Sequence, residues 1–145
     1  MSQFTTTLKT LPLARAGKKY FTLHEAHRAL PLVKRVAADI QATQALRLRL
    51  HSELSAGLAQ FSQKKLDMLQ DDFDRATRRL ESLIEELEKI GVELKDPSRA
   101  LLDFPAFHQG REVLLCWKAG EETISHWHET DGGMAARKPV TLLHE

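Results

Sequence analysis

The sequence has 145 residues and a single cysteine, Cys116. One cysteine excludes an internal disulfide framework and a zinc site made of several cysteines, and it is typical of a reducing compartment. No stretch approaches the roughly 20 apolar residues that a membrane-spanning helix needs, which indicates a soluble protein without a membrane partner. The net charge of +1 lacks the basic excess that is typical of nucleic-acid binders. We therefore expect a cytoplasmic protein.

The residues that are present predict one domain. With 42% hydrophobic and 28% charged residues, the chain has enough apolar mass for one core. The first nineteen residues carry four bases and no acid, and their longest apolar run, Leu11–Leu13, is shorter than the roughly 7–15 residues of a signal peptide's central region. We predict a disordered basic tail over residues 1–19, with an organellar transit peptide as the alternative, and a single domain over residues 20–145.

A helix start is visible at Thr22. Thr22 and Glu25 have the spacing of a capping box, in which each side chain accepts a hydrogen bond from the backbone of the other residue. Pro31 lies nine residues after Thr22, where it removes a helical hydrogen bond. We therefore predict a short helix over Leu23–Ala29, a break at Leu30 and a longer helix that has Pro31 in its first turn.

A second helix follows a chain reversal that we predict between Ser55 and Ser62. Its apolar residues keep an unbroken spacing of three and four over 25 residues, as in a heptad seam. Gly91 comes directly after this seam and is suited to the left-handed conformation that ends many helices. The pattern predicts a long antiparallel, coiled-coil-like hairpin over residues 20–91. The seam consists of Leu66, Leu69, Phe73, Ala76, Leu80, Leu83, Leu87 and Ile90.

The small net charge conceals an asymmetry along the chain. Residues 1–65 have a net charge of +8, residues 66–103 of −5 and residues 104–145 of −2. A basic first arm beside an acidic second arm favours pairing within one chain and disfavours parallel self-pairing of the second helix.

After Gly91 the apolar pattern changes from helical to extended. Pro105 is expected to end the second strand, and the third strand is apolar on both faces, which is typical of the centre of a sheet. We predict a small antiparallel β-meander over residues 92–130 and a C-terminal segment over residues 131–145, so the fold class is α+β. The predicted strands are residues 92–94, 101–104, 112–117 and 122–128.

The last predicted strand carries His126 and His128, which strand alternation places on one face. Two imidazoles at this spacing can chelate a divalent metal such as zinc, with Glu129, Asp131 or Asp103 as a candidate third ligand. Histidines at a sheet rim that only form hydrogen bonds are the alternative. Whether Cys116 faces the same side depends on the strand register, because a slip of one residue reverses the face.

Three further residues could take part in catalysis or metal binding, and each also has a purely structural interpretation. Cys116 can act as a nucleophile with His126 or His128 as its base, whereas a central strand favours a buried apolar thiol. His24 and His27 are three residues apart on a helix and can ligate a metal or be ordinary surface residues.

Three segments resemble an uncharacterised bacterial family, domain of unknown function 2203: YFTLHEAHRALPLV, IGVELKDPSRALLDFPA, and GREVLLCWKAGEETISHWHE with the glycines that follow. The likeness covers roughly Lys19 to Pro139 and implies a fold rather than an activity, a cofactor or a substrate. Where the family usually reads WHDLDAG, this chain has WHETDGG, so Glu129 replaces an aspartate; His126 is outside the usual pattern. The family pattern falls on Asp103, Pro105, Gly110, Arg111, Glu112, Trp117, Trp127, His128, Asp131, Gly133 and Arg137.

Four polar residues of that pattern, Arg111, His128, Asp131 and Arg137, are placed at the ends of the predicted hairpin and just after it. Their functional interpretation is an anion or small-ligand pocket, because arginine offers a planar fork to a carboxylate or phosphate. The alternative is a network of salt bridges that holds the C-terminal segment on the sheet.

We expect a non-enzymatic interaction or scaffold protein that forms a homo-oligomer, or binds a protein partner, through its helices. Leu48, Met68 and Ile84 are apolar residues outside the predicted seam and supply a second helical surface. A metal or anion site at His128, with or without enzymatic activity, is the alternative. Nucleic-acid binding by the basic first arm is a second alternative. The absence of aromatic residues between the bases of this arm argues against it, because such binding normally also uses aromatic side chains that stack on nucleobases. The bases in question are Arg28, Lys34, Arg35, Arg47 and Arg49.

Overall fold

The computed structural model describes residues 18–145, which form two long helices followed by a five-stranded antiparallel sheet. The predicted α+β class is confirmed. Apart from Lys18 and Lys19, the predicted basic tail lies outside the described residues. Within the described part of the chain, neither helix contains a stretch that is apolar enough to cross a membrane.

The first helix, α1, extends from Leu23 to Gly57. Its predicted capping box is confirmed, since the Thr22 hydroxyl accepts a hydrogen bond from the Glu25 N–H at 3.0 Å and the Glu25 carboxylate accepts one from the Thr22 N–H at 2.9 Å. The cap satisfies two backbone donors that have no partner within the helix.

The predicted break at Leu30 is wrong, because α1 continues through Pro31 as one helix. Ala26 and Leu30 before the proline and Val33 after it are all buried on the same face, while Pro31 itself is exposed. Burial of that face offsets the one helical hydrogen bond that proline cannot donate.

The second helix, α2, extends from Gln63 to Ile90, so the predicted reversal between Ser55 and Ser62 is confirmed. Ser62 caps the helix by accepting a hydrogen bond from the Lys65 N–H. Gly91 ends it in the left-handed region at a φ of 101°. Five members of the predicted seam are buried: Leu69, Ala76, Leu80, Leu83 and Leu87.

One half of the hairpin packs on the sheet. The outer half, which comprises α1 after Ile40 and α2 before Leu80, does not belong to the main core. The main core joins the sheet to α1 up to Ile40 and to α2 from Leu80 onward. Beyond Ile40, the buried residues of α1 are Leu50 and Gly57, and Leu50 belongs to a separate small cluster. An exposed interhelical ion pair joins Arg79 to Asp39 at 3.9 Å, with the acid on α1, opposite to the polarity that the arm charges suggested.

The strands of the sheet lie in the same order as in the chain, and every neighbouring pair is antiparallel, which confirms the predicted meander. The predicted end of the sheet at residue 130 is wrong, because a fifth strand, Lys138–Pro139, lies in the predicted C-terminal segment and pairs with the fourth. Gln109 and Gly110, both with positive φ, form the two-residue turn between the second and third strands. The third strand is central, as its apolar sequence predicted. The strands are β1 (Glu93–Asp96), β2 (Leu101–His108), β3 (Arg111–Lys118), β4 (His126–Glu129) and β5 (Lys138–Pro139).

Pro105 does not end β2, contrary to expectation. In a strand, the N and O atoms of a residue point to the same side, and the Pro105 carbonyl accepts a hydrogen bond from the Phe21 N–H at 2.7 Å. The missing N–H of Pro105 is therefore on the side away from β3, where it interrupts no bond between the two strands. β2 continues to His108.

The strand predicted over residues 122–128 is shorter than expected, because residues 121–125 contact α1 and the end of β3 instead of extending β4. The Ile124 N–H donates to Nε2 of His27 at 3.1 Å, and Lys34 donates to the Glu122 carbonyl at 2.8 Å. The Trp117 indole donates to the Glu121 carbonyl at 2.9 Å. These hydrogen bonds give backbone groups of residues 121, 122 and 124 partners outside the β-sheet.

The two faces of the sheet differ in character. One face, with Phe104, Leu115 and Trp127, packs on the helical hairpin. The opposite face presents Asp103, which is buried although it points away from the main core. The chain after β4 covers this second face, and the residues brought together there form the candidate site.

Candidate functional site

Asp103 on β2, Cys116 on β3 and His128 on β4 converge on the face away from the helices. One ligand atom from each side chain lies within 4.8 Å of the other two, and the residues Asp103, Cys116 and His128 are 2%, 1% and 5% exposed, respectively. Asp103 is directly opposite Cys116, and His128 is opposite Leu114, two residues before Cys116. Residues in direct register or two apart share a face, so the strand pairing itself assembles this cluster.

The His128 ring is held in one orientation by two hydrogen bonds. Its Nδ1 is 2.7 Å from the carbonyl oxygen of Glu129, and its Nε2 is 3.2 Å from Oδ1 of Asp103. Because a carbonyl oxygen only accepts, Nδ1 carries a proton and donates it to this bond. Nε2 is thereby the nitrogen that faces the cluster, which is the arrangement found in histidines that ligate metals.

Burial controls the protonation of the other two members. It raises the pKa of Asp103, and the adjacent His128 offsets part of that rise. Burial also raises the pKa of the Cys116 thiol to about 11, and the neighbouring Arg137 guanidinium offsets part of that rise. Both anionic forms are costly in this environment unless a positive charge accompanies them.

The geometry disfavours Cys116 as a catalytic nucleophile. Nδ1 of His128 is engaged by the Glu129 carbonyl and Nε2 lies against Asp103, so neither nitrogen is positioned as a base dedicated to the thiol. A pKa of about 11 keeps Cys116 in its unreactive thiol form at neutral pH.

A cavity of about 270 Å³ opens beside the cluster. Lys95 and Thr130 are its polar lining residues besides the cluster, and Gly132 and Gly133 bring bare backbone to its wall. Because a water molecule occupies only about 30 Å³ of liquid, the cavity has room for a metal ion together with water or a small ligand. A larger cavity of about 580 Å³, beside Lys18 and Glu88, holds no such cluster.

Arg137 adjoins the cluster from the chain that follows β4. Its guanidinium Nη2 donates to Glu121 Oε2 at 2.8 Å and also makes a side-chain hydrogen bond to Cys116. The Nε atom of Arg137 is buried without a hydrogen-bond partner among the described residues. Cys116 therefore has a hydrogen bond to a cation and lies within 4.8 Å of two potential metal ligands.

The metal ligands suggested by the sequence are only partly brought together. Asp103 and His128 are in the cluster, whereas the Glu129 carboxylate pairs with Arg111 at 2.6 Å and with Lys138 at 3.4 Å. His126 shares the face of the cluster but its Nδ1 lies 2.9 Å from Ser125 Oγ. The metal set His126, His128, Glu129 and Asp103 therefore does not assemble as a whole, because Glu129 points to the opposite face of β4.

The four residues suggested for an anion pocket do not converge as a group: Arg137 adjoins the cluster that contains His128, but Arg111 does not. Arg111 lies on the face opposite to His128, because it is an odd number of residues from Leu114, the register partner of His128. Asp131 is exposed. The guanidinium groups of Arg111 and Arg137 are each paired with a carboxylate, of Glu129 and Glu121 respectively.

His24 and His27 do not form a described metal cluster either. Nε2 of His27 accepts the Ile124 N–H, which makes this histidine a link between α1 and the sheet. The cluster member that is missing from the metal set predicted from the sequence is Cys116. The sequence alone left open which face of the sheet Cys116 lies on, because that face depends on the strand register. The β2–β3 and β3–β4 pairings define this register.

Comparisons with curated proteins and with solved structures found no match. The family described as "Uncharacterized conserved protein (DUF2203)" matches residues 19–140, most of the chain. This range is close to the roughly Lys19 to Pro139 over which the sequence resembles that family, and it includes all three members of the cluster. The chain belongs to the DUF2203 family.

Proposed function

We propose that this protein binds one transition-metal ion, of the zinc type, through Asp103, Cys116 and His128. The observation that carries the proposal is the convergence of three chemically different ligand atoms within 4.8 Å of one another at a buried point. Three separate strands supply them, so the rigid sheet positions the ligands before the metal arrives.

The ligand types select the class of metal. A thiolate and an imidazole suit zinc and similar borderline-soft ions, whereas magnesium and calcium prefer oxygen ligands only. Metal binding displaces to solvent the Cys116 thiol proton and the proton between His128 Nε2 and Asp103, and leaves the two negative charges of Cys116 and Asp103, which the divalent ion neutralises. The ion thus supplies the positive charge that burial of these two groups requires.

The geometry fits a site with three protein ligands. Typical zinc–ligand distances of about 2.0–2.3 Å place ligand atoms roughly 3–4 Å apart in a tetrahedral site. His128 Nε2 and Asp103 Oδ1 are already 3.2 Å apart. The cluster as a whole, with ligand atoms within 4.8 Å of one another, needs to contract by up to about 1–2 Å. The fourth position then faces the cavity, as in sites that bind water or a substrate.

The test is a titration of untagged, chelator-treated protein with Co²⁺, a spectroscopic substitute for zinc. We expect one Co²⁺ per chain, with tetrahedral d–d bands and a thiolate-to-cobalt charge-transfer band. Cys116→Ser should lose the charge-transfer band, and Asp103→Asn and His128→Gln should lower the affinity by at least tenfold. His126→Gln is the matched control, since His126 lies on the same face and strand, and it should bind as the wild type does.

Either of two results would contradict the proposal. One is a folded wild-type chain that shows no cobalt–thiolate band at millimolar Co²⁺. The other is equal loss of affinity in the His126 and His128 variants, because this would place the ion outside the cluster.

A second candidate function, self-association, is favoured by the outer half of the hairpin. Leu48, Leu58 and Met68 are 48%, 70% and 58% exposed there, although Ile84 packs against the core instead of being exposed as expected. Each helix carries both bases and acids in this half, such as Arg49 with Glu53 on α1 and Arg75 with Asp72 on α2, so two copies related by a twofold axis can place opposite charges beside each other. We propose a second copy of the chain as the occupant of this surface.

Light scattering over a range of concentrations tests the self-association. We expect a dimer at micromolar concentration and a monomer for the double variant Leu48→Glu, Met68→Glu. Leu142→Glu is the control, because Leu142 is 53% exposed but is far along the chain from the hairpin tip. A wild-type chain that remains monomeric at the highest concentrations would remove this function.

A further inference from the structure

We infer that Arg137 is a positioning residue of the metal site, which orients the Cys116 sulfur toward the ion by an N–H···S hydrogen bond. This inference rests on the proposed metal site and adds a fourth side chain to it. Arg137 is not itself a metal ligand, since guanidinium has no lone pair to offer.

The position of Arg137 is fixed from two sides. Its side chain is 16% exposed, and the carboxylate of Glu121, which is 20% exposed, holds the guanidinium at 2.8 Å. The same guanidinium makes the hydrogen bond to the Cys116 side chain. The planar fork of arginine can serve both partners at once, which the single ammonium group of lysine does less well.

The buried Nε atom of Arg137 adds a second observation. It has no hydrogen-bond partner among residues 18–145, although a buried N–H donor is normally satisfied. A neutral thiol is a weak acceptor, whereas a thiolate is a strong one and attracts the whole guanidinium. The arginine is therefore better matched to the metal-bound state of Cys116 than to the thiol.

The charges around the cluster support this role. With a divalent ion and the anions of Asp103 and Cys116, the centre is neutral, and Arg137 with Glu121 forms a second neutral pair. Removal of the arginine alone leaves the Glu121 carboxylate near the thiolate, where it repels the sulfur. The experiment must therefore separate the loss of the cation from the exposure of that carboxylate.

Four variants achieve this separation when Co²⁺ affinity and the thiolate-to-cobalt band are measured together. Arg137→Met should bind Co²⁺ about 10- to 100-fold more weakly, the range typical of groups that support metal ligands. Its charge-transfer band should move to lower energy, because the thiolate loses a hydrogen bond. Glu121→Gln should bind at least as tightly as the wild type, and the double variant should stay weak. Arg111→Met is the matched control, because it also loses an arginine–glutamate pair but on the opposite face, and it should change affinity less than twofold.

The outcomes are distinguishable from those of the metal proposal. If wild type forms no cobalt–thiolate band, the site itself is wrong; if wild type binds and Arg137→Met has the same affinity and band energy, only the role of Arg137 is wrong. Should Arg137→Met fail to fold by circular dichroism, Arg137→Gln retains polar bulk without charge. The same weakening and band shift are expected for that variant, and their absence would overturn the inference.

Discussion

The Nε2 atom of His128 lies 3.2 Å from Oδ1 of Asp103, and each of these side chains is less than one tenth exposed. Because Nδ1 of His128 already donates to a carbonyl, one proton occupies the space between Nε2 and the carboxyl group. A metal ion that replaces this proton meets an imidazole lone pair and a carboxylate oxygen at once. In the proposed metal site, Cys116 completes a set of three ligands.

Metal binding is expected to stabilise the fold. Zn²⁺ at a free concentration 100 times its dissociation constant should raise the free energy of unfolding by about 2.7 kcal/mol, since the unfolded chain does not hold the three ligands together. Urea denaturation with and without Zn²⁺ measures this difference. His126→Gln should keep the increase and His128→Gln should lose it; an equal increase in both variants would assign the effect to another site.

Cys116 is expected to be unreactive in the metal-free folded protein. Its pKa of about 11 leaves only about one thiolate in a thousand at pH 8, and the side chain is 1% exposed. Chelator-treated protein should therefore react with a disulfide reagent orders of magnitude more slowly than the same chain in urea. Rapid labelling of the folded protein would favour the nucleophile interpretation over the ligand interpretation.

The ion pair of Glu129 predicts a pH dependence of stability. Hydrogen bonds from Arg111 hold the pKa of Glu129 at about 2, below its ordinary value of 4.5. The folded state therefore releases this proton more readily than the unfolded state. The contribution to stability is present above pH 4.5 and is lost as the pH falls from 4.5 to about 2.

Comparison of wild type with Glu129→Gln isolates this contribution from those of other carboxylates. The difference between their free energies of unfolding should shrink over that pH range, and it should be smaller in high salt because the pair is partly exposed. A difference that stays constant from pH 5 to pH 2.5 would contradict the assignment.

We expect that the backbone conformation at the end of α2 requires a glycine at position 91. Its φ of 101° is unfavourable for residues with a side chain, and a Cβ atom would lie 2.9 Å from Cβ of Lys19. Gly91→Ala should lower the free energy of unfolding by about 1–2 kcal/mol. Gly133→Ala, where a Cβ atom meets open space, should change it by less than about 0.5 kcal/mol. Equal effects in thermal or chemical denaturation would refute this explanation.

Local patterns in the sequence predicted the helices well, because each depends on neighbouring residues. The Thr22 cap, the seam of α2 and the turn at Gly91 are all decided by spacing within a few residues. The errors at Pro31 and Pro105 have the opposite origin. Burial by distant residues keeps α1 continuous at Pro31, and the side that the Pro105 nitrogen faces depends on which strand is its neighbour.

The candidate site was harder to predict than the helices. Asp103 and His128 were recognised as possible ligands, but the inclusion of Cys116 depends on the register of β2 with β3 and of β3 with β4. A slip of one residue would have moved Cys116 to the core face. The contacts of residues 121–125 with α1, through His27 and Lys34, help to set where β4 begins, and no local pattern encodes them.

X-ray absorption spectroscopy at the zinc edge tests the central claim most directly. For wild-type protein loaded with one Zn²⁺ per chain, we predict one sulfur neighbour at about 2.3 Å and the remaining nitrogen or oxygen neighbours at about 2.0–2.2 Å. Cys116→Ser should remove the sulfur neighbour, and His126→Gln should leave the spectrum unchanged. A wild-type spectrum with only nitrogen and oxygen neighbours would show that zinc does not bind at Asp103, Cys116 and His128.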